Sequence, residues 1–164
     1  MKLLLALCLL VAGPALAGPL KPGDALPVGT VALKGPDGVA IDPARLAGKV
    51  VLLDIWATWC EPCRASLPVY EALYKELGPA GFVVIAVSVD EHQDELVAFV
   101  KKSGLTFPII WDPEGKWPAA IGLEAMPTAL LVDRTGKVRS VHPGFTDTDG
   151  AAITAAARAL VKAP

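Results

Sequence analysis

The 164-residue chain is poor in cysteine and histidine, and it contains neither an internal repeat nor a long run of like charge. Thiols occur only at Cys8, Cys60 and Cys63, and imidazoles only at His92 and His142. A closed zinc site needs four ligands, and the two histidines lie on separate predicted elements, so the sequence predicts no metal and no bound cofactor. The formal net charge is -2. Nucleic acid binding requires a basic face, so we expect no nucleic acid partner.

The beginning of the chain predicts a secretory leader followed by an arm. Lys2 supplies a positive charge, residues 3–12 are apolar, and residues 15–17 form an Ala-Leu-Ala cleavage pattern. We therefore expect residues 1–17 to be a signal peptide, and the mature protein to have no membrane span. The apolar core is too short to cross a bilayer, so an uncleaved anchor is the weaker alternative. Residues 18–27 are rich in proline and glycine and are expected to form a flexible arm.

The most informative motif is the C-x-x-C pair of Cys60 and Cys63. It follows an apolar run at residues 50–56, typical of a buried strand, and begins a segment with helical spacing of apolar residues. Two cysteines at such a junction can form and break a disulfide with each other. The helix start favours a thiolate, which is the nucleophile of disulfide exchange. With the leader removed, this pair would work in an oxidising compartment, periplasmic or otherwise secreted.

Strand and helix patterns alternate along residues 28–164, which we expect to form one domain. Residues 28–33 and 39–41 flank a turn and predict an N-terminal β-hairpin. Asp90 is expected to cap the helix that follows it. The other predicted elements are helical turn 43–47, strand 50–56, helix 60–77, strand 82–89, helix 91–102, strand 107–111, helix 114–121 broken by Pro118, strands 128–132 and 137–141, and helix 148–162. The alternation predicts an α/β fold, with a central mixed sheet flanked by helices on both faces.

These motifs resemble the thioredoxin superfamily, and within it the TlpA/ResA-like group of secreted bacterial thiol-disulfide oxidoreductases. The matching segments are W-A-T-W-C-E-P-C-R at residues 56–64, Pro68, M-P-T at residues 126–128, and L-V-D-R-T-G-K at residues 131–137. The resemblance implies a thioredoxin-like fold whose N-terminal β-hairpin is an extension. It also implies that Cys60 attacks substrate disulfides and that Cys63 resolves the mixed disulfide.

The same resemblance assigns supporting residues around the pair. Met126-Pro127 matches the group's cis-proline loop, which lies against the disulfide and pairs its backbone with the substrate. We expect this X–Pro bond to be cis, although few X–Pro bonds are. Trp59 is expected to be exposed beside the disulfide. The residues predicted to bind substrate or support the pair are Trp59, Glu61, Pro62, Met126, Pro127 and Thr128.

The chain departs from the group at two positions. Where members with the E-P dipeptide often carry glutamate, three residues after the second cysteine, this chain has Ser66. Where they often have a neutral polar residue, six before the first cysteine, it has Asp54. A carboxyl in an apolar strand should have a raised pKa and could accept the proton of Cys63. The alternative is a structural aspartate that is hydrogen-bonded at the strand end. We favour the proton acceptor because an unpaired buried acid is costly.

The resemblance predicts a secreted enzyme that reduces disulfides of specific envelope proteins, with apocytochromes c among the substrates of the group. It would need an upstream electron donor in the membrane. A general oxidant or isomerase, and a redox-inactive binding module, are the alternatives. A peroxiredoxin-like peroxidase is a lesser one, because such enzymes use T-x-x-C, whereas here Thr58 is two residues before Cys60. The sequence leaves open the substrate, the direction of electron flow, the donor and the oligomeric state.

Overall fold

The computed structural model describes residues 18–28 and 34–163. Its strands are β1 (Val50–Trp56), β2 (Phe82–Ser88), β3 (Ile109–Trp111), β4 (Thr128–Val132) and β5 (Val138–Pro143). Its helices are α1 (Glu61–Leu77), α2 (Gln93–Ser103), α3 (Lys116–Ile121) and α4 (Asp147–Lys162), and short 3-10 helices occupy Pro43–Leu46 and Gly78–Ala80. Within the two described ranges, every helix falls short of the length and apolar character of a membrane span.

The five strands form one mixed sheet in the order β3-β2-β1-β4-β5. β1 lies at the centre, parallel to β2 and antiparallel to β4. β3 is parallel to β2, and β5 is antiparallel to β4. The predicted mixed sheet is therefore confirmed. Because β1 and β2 are parallel, the loops that follow them open at the same edge of the sheet.

The pleat of β1 divides the apolar core into two clusters, one on each face of the sheet. The first cluster joins β1 to α1, α2 and α4 through Val50, Leu52, Trp56, Leu67, Tyr70, Leu96 and Ile153. The second joins β1 to α3 and to the N-terminal arm through Val51, Leu53, Ile55, Trp117, Ile121 and Leu26. Helices cover both faces, as predicted. The first cluster is also the one that contains both Cys60 and Cys63.

Helix α1 forms where the sequence predicts it. Cys60 occupies the N-cap with extended backbone, and the helix ends at Gly78, which is its C-cap. Pro68 lies inside the helix, as predicted, and its side chain is exposed. The buried side chains follow the helical period and face the sheet: Cys63, Ser66, Leu67, Tyr70 and Leu73.

Two local predictions about helix starts are wrong. Helix α2 begins at Gln93, its N-cap is His92, and Asp90 does not cap it. The Asp90 carboxylate instead accepts hydrogen bonds from Thr58, so a contact across the sheet edge outweighs the local cap. Helix α3 includes Pro118 instead of breaking there. Pro118 stands in the first turn, where a missing backbone N–H leaves no intrahelical bond unmade.

The described residues test the N-terminal predictions only in part. The signal peptide at residues 1–17 lies outside the described residues, as does most of the first strand of the predicted hairpin. The hairpin is therefore not confirmed, although an isolated antiparallel bridge joins Lys34 to Ala40 around the predicted turn.

The arm of residues 18–27 is held along the domain by backbone hydrogen bonds. Leu20 N donates to the carbonyl of Ile121 at 3.1 Å, and Gly23 N donates to the carbonyl of Val138 at 2.8 Å. Leu26 is buried against the second apolar cluster. These contacts place the arm on the face of the sheet opposite the two cysteines.

Candidate active site

Cys60 and Cys63 are joined as a disulfide at the start of α1, with their Cα atoms 5.2 Å apart. The structure thus brings together the two cysteines that the motif predicts as a redox pair. Cys60 is 7% exposed, whereas Cys63, one turn into the helix, is fully buried. An attacking reagent therefore reaches Cys60 more easily than Cys63.

The loop that leads from β1 into α1 presents the disulfide to solvent. Cys60 N donates to the carbonyl of Ala57 at 3.2 Å, which closes a tight turn over these residues. Trp59 in that turn is 66% exposed, as predicted, although large aromatic side chains are usually buried. Glu61 and Pro62 are exposed on the other side of Cys60. An exposed indole beside a disulfide offers an apolar contact surface to a partner.

The cis-proline loop lies at the same edge of the sheet. The Met126-Pro127 peptide bond is cis, as predicted. Thr128 begins β4 and pairs with Ile55 of β1, so Pro127 lies beside the end of β1 and the disulfide loop. Met126 is half-buried and packs against the cluster that contains both cysteines. Within the described residues its backbone N–H and C=O have no hydrogen-bond partner.

Asp54 lies at the middle of β1 and is fully buried. It alternates with Leu52 and Trp56, so its side chain faces the cluster that contains Cys63. In the described part of the chain, neither carboxylate oxygen has a hydrogen-bond partner, so a hydrogen-bonded structural role finds no support. Burial raises the pKa of Asp54 well above its ordinary value. These features are those of a carboxyl group that holds a proton more readily than an exposed aspartate does.

The cross-strand neighbours of Asp54 are two small residues. In the register of the sheet, Asp54 stands between Ala86 of β2 and Ala129 of β4. Both alanines belong to the same cluster and therefore the same face. Paired residues of neighbouring strands have their Cβ atoms about 5 Å apart, so larger side chains there would crowd the carboxyl.

Two hydroxyl groups occupy the region where the group carries its glutamate. Ser66 is fully buried, and its hydroxyl donates to the carbonyl of Cys63 at 2.8 Å. Tyr70, one turn later, is also buried. Burial raises the pKa of Tyr70, the charge of Asp54 raises it further, and a side-chain hydrogen bond with Ser66 opposes this. Ser66 and Tyr70 therefore lie on the buried side of α1, and Tyr70 is close enough to Asp54 for the charge of Asp54 to affect its pKa. Their i, i+4 spacing could have revealed the pair, but no role was predicted for Tyr70.

Asp90 is the site residue that sequence reasoning placed wrongly. It is 2% exposed and lies in the loop after β2. Its carboxylate binds Thr58, two residues before Cys60 in the chain. The contact spans 32 positions, so no local pattern could predict it.

A buried strand, a C-x-x-C disulfide at a helix start and a cis-proline before an antiparallel strand together define a thioredoxin-fold dithiol protein. The Redoxin family matches residues 21–160 of the chain. The match covers most of the sequence, and the chain belongs to the Redoxin family.

Individual relatives agree with this assignment. The thiol-disulfide oxidoreductase ResA of Halalkalibacterium halodurans is 36% identical over 108 residues, which cover 66% of this chain and 61% of the relative. The chain spans about three fifths of the length of the ResA relatives it matches.

Solved structures show the same fold. A Chlorobium tepidum protein described as a thiol:disulfide interchange protein DsbE matches with a TM-score of 0.80 and 35% identity, covering 87% of this chain and 99% of that chain. A secreted thiol-disulfide isomerase from Corynebacterium glutamicum matches with a TM-score of 0.72 and 26% identity, covering 81% and 84%. The predicted thioredoxin-like fold and the TlpA/ResA-like membership are confirmed. The similarities also support the prediction of a thiol-disulfide oxidoreductase.

The raised pKa of Asp54 predicts a characteristic pH dependence of stability. The folded chain holds this proton more tightly than the unfolded chain, so wild-type stability falls as pH rises from the unfolded pKa of about 3.9 through the folded pKa. Asp54→Asn removes the titration. The unfolding free energy of Asp54→Asn minus that of the wild type should therefore increase over this pH range. The increase should be about 1.4 kcal/mol for each pH unit by which the folded pKa exceeds the unfolded pKa. Urea unfolding of the oxidised proteins from about pH 4 to about pH 9 measures the difference.

Asp133→Asn is the matched control. Asp133 lies in the β4–β5 turn, and a side-chain hydrogen bond from Thr135 is the main cause of its lowered pKa. Its stabilising effect is fully present above the unfolded pKa of about 3.9 and is lost only below it, so from about pH 4 to about pH 9 the unfolding free energy of its variant should differ from that of the wild type by a constant amount. Parallel stability curves for wild type and Asp54→Asn would contradict a raised pKa at Asp54.

Proposed function

We propose that this protein is an extracytoplasmic thiol-disulfide oxidoreductase that reduces disulfides of specific envelope proteins through Cys60 and Cys63. The observation that carries the proposal is the Cys60–Cys63 disulfide at the start of α1, with Cys60 the more exposed cysteine and an unpaired acid buried on the same face of the sheet as Cys63. Cys60 can act as the attacking cysteine, Cys63 as the resolving cysteine and Asp54 as the proton acceptor.

In the first step, the Cys60 thiolate attacks one sulfur of the substrate disulfide. A bond forms between Cys60 and that sulfur, the substrate S–S bond breaks, and the departing thiolate takes up a proton. In the second step, Cys63 gives its proton to Asp54 and attacks the Cys60 sulfur. The Cys60–Cys63 bond forms, the mixed disulfide breaks, and the second substrate thiolate leaves. Two electrons pass from the dithiol to the substrate.

The surface around Cys60 suits an extended polypeptide. Trp59 supplies an exposed apolar platform. The backbone of Met126, which lacks a partner in the described residues, supplies a donor and an acceptor for pairing with a substrate strand. Glu61 adds a negative charge at the rim. Backbone pairing gives affinity, so selectivity among substrates depends on side chains near their disulfides.

The extracytoplasmic location rests on two supports. Residues 1–17 have the pattern of a secretory leader. The similar protein from Corynebacterium glutamicum is described as secreted. An oxidising compartment would keep the pair oxidised, so the reductase needs an electron donor, which we place in the membrane. Apocytochrome c before haem attachment is the substrate class that the resemblance to the TlpA/ResA-like group suggests.

An oxidant or isomerase is the second candidate, because the matched Corynebacterium protein is described as an isomerase. The potential of the couple separates the two candidates. A peroxidase is less well supported, since the Thr58 hydroxyl donates to Asp90 at 2.7 Å and is engaged there. A redox-inactive binding module has no need of a cysteine pair placed at a helix start.

The order of the cysteines can be tested by trapping. Cys63→Ser should accumulate a stable mixed disulfide through Cys60, because no second thiol is present to release the substrate. Cys60→Ser is the matched control and should trap nothing, since Cys63 is fully buried. Mass spectrometry of partners captured in the cell envelope gives the readout. Alkylation of the reduced wild type near neutral pH should label Cys60 first, and preferential labelling of Cys63 would reverse the assignment.

The role of Asp54 can be tested on the second step alone. Dithiobis(nitrobenzoate) reacts with Cys60 and releases one thionitrobenzoate, and attack by Cys63 releases the second. Asp54→Asn should leave the first phase intact and slow the second, by about a hundredfold at neutral pH, as expected for loss of a general base. The deficit should shrink as the pH approaches the ordinary thiol pKa of about 8.5. Equal second-phase rates in both proteins from about pH 6 to about pH 9 would make Asp54 structural.

The direction of electron flow can be tested by the reduction potential. Glu61 stands in the first turn of α1 next to Cys60, so its charge opposes the effect of the helix dipole on the thiolate. We expect a potential below roughly -200 mV, on a scale from about -270 mV for thioredoxin to about -120 mV for DsbA. Glu61→Gln should raise it. Equilibration against glutathione buffers measures both, and a value near that of DsbA would rule out the reductase.

A further inference from the structure

Asp90 carries a buried carboxylate that the exchange steps above do not use. Its Oδ1 accepts a hydrogen bond from the Thr58 hydroxyl at 2.7 Å, and both its oxygens accept from Thr58 N at 3.1 Å. Oδ2 also accepts from the Ser88 hydroxyl at 2.6 Å. Every contact is a donor to the carboxylate, as suits an ionised group. Among the described residues no cation pairs with it, so these hydrogen bonds are what stabilise its buried charge.

The same residue ties together three segments at the edge of the sheet that carries the disulfide. Through its side chain, Asp90 holds Thr58 in the loop that ends at Cys60. Through its backbone carbonyl, it accepts from the indole Nε1 of Trp111, the last residue of β3, at 2.7 Å. Next to it, Val89 N donates to the carbonyl of Trp56 at 3.0 Å. The loop of residues 57–60 therefore cannot shift without breaking the hydrogen bonds from Thr58 to the buried Asp90 carboxylate.

We propose that Asp90 is a positioning residue for disulfide exchange, which holds the loop of residues 57–60 so that the Cys60 sulfur meets a substrate disulfide in line. The proposal rests on the proposed function, because it requires Cys60 to be the attacking cysteine. Exchange needs three sulfur atoms in one line, so its rate depends on the orientation of the attacking thiolate. Iodoacetamide also reacts in line, at its carbon, but as a small reagent it can approach the sulfur from many directions, so its rate depends less on how the thiolate is oriented.

The test compares these two reactions in the Cys63→Ser background, where only the first attack occurs. The probes are oxidised glutathione, which forms a mixed disulfide with Cys60, and iodoacetamide, which alkylates it. Asp90→Ala should lower the rate constant with oxidised glutathione by about tenfold or more, while the rate constant with iodoacetamide changes by less than about threefold. Mass spectrometry of quenched samples follows both reactions, and circular dichroism establishes that each variant is folded.

Two further variants probe the contact from the other side. Thr58→Val keeps the backbone N–H but removes the hydroxyl donor. Its rate constant with oxidised glutathione should fall by roughly threefold. Thr58→Ser keeps both donors and should stay closer to the parent than Thr58→Val. If Asp90→Ala does not fold, the comparison of Thr58→Val with Thr58→Ser decides the question.

Asp112→Asn is the matched control. Asp112 is also buried after a strand at the same edge, and its carboxylate accepts from Lys116 N at 3.1 Å and Trp117 N at 2.7 Å, at the start of α3. In the described part of the chain, its carboxylate makes no hydrogen bond to residues 57–63. Asp112→Asn should lower the free energy of unfolding but leave the rate constants with oxidised glutathione and iodoacetamide unchanged.

Three results would overturn the positioning role. The first is an unchanged rate constant with oxidised glutathione in folded Asp90→Ala. The second is an equal reduction of the rate constants with oxidised glutathione and iodoacetamide in that variant. The third is a reduction of the rate constant with oxidised glutathione in Asp112→Asn as large as that in Asp90→Ala. Failure of the proposed function looks different, because the Cys63→Ser parent would itself form no mixed disulfide at Cys60 with oxidised glutathione.

Discussion

Strand β1 is covered on both faces and all seven of its side chains are buried, so nothing polar on it can be solvated except at its ends. This constraint organises the rest of the molecule. The centre of the sheet must be apolar, and the chain departs from that rule at Asp54. Chemistry that needs water or a partner is confined to the loop after Trp56. The disulfide lies there, where the buried strand meets the surface beside a helix start.

The two faces of the sheet carry different kinds of residues. The face that α1, α2 and α4 cover contains the cysteines, Asp54, Ser66 and Tyr70. The other face, which α3 and the N-terminal arm cover, is an apolar core. The sulfur chemistry and the proposed proton transfer are thereby separated from the elements that mainly hold the sheet together.

Sequence patterns were sufficient for features that depend on neighbours along the chain. The strand at residues 50–56 and the helix after Cys60 follow from apolar periodicity, and the cis bond before Pro127 follows from a recognised motif. Asp90 shows where such reasoning ends. An aspartate before a helix has a local use as a cap, but Thr58 and Ser88 offer it three donors at once. A residue with several donors across the sheet edge gains more there than at a helix start.

Tyr70 illustrates a second limit. Its position on the buried stripe of α1 was predictable, yet nothing in the spacing indicates that Asp54 lies opposite it. That relation depends on how α1 crosses the sheet, which no single segment encodes. The small residues Ala86 and Ala129 beside Asp54 are likewise neighbours only through strand register. Pairing across strands was thus the information that the sequence alone did not contain.

Cys60 is the N-cap of α1, and in the disulfide its side chain makes no capping hydrogen bond. Residues such as serine or aspartate at this position accept from the N–H groups of the first turn, and a thiolate is an acceptor too. Once reduction breaks the bond between the two sulfurs, a Cys60 thiolate would be free to complete the helix cap. By thermodynamic linkage, whatever the cap contributes to the reduced form moves the couple toward oxidising strength, against the influence of Glu61. The reduction potential of this protein thus depends on two opposing effects at the start of α1, the helix cap and the charge of Glu61.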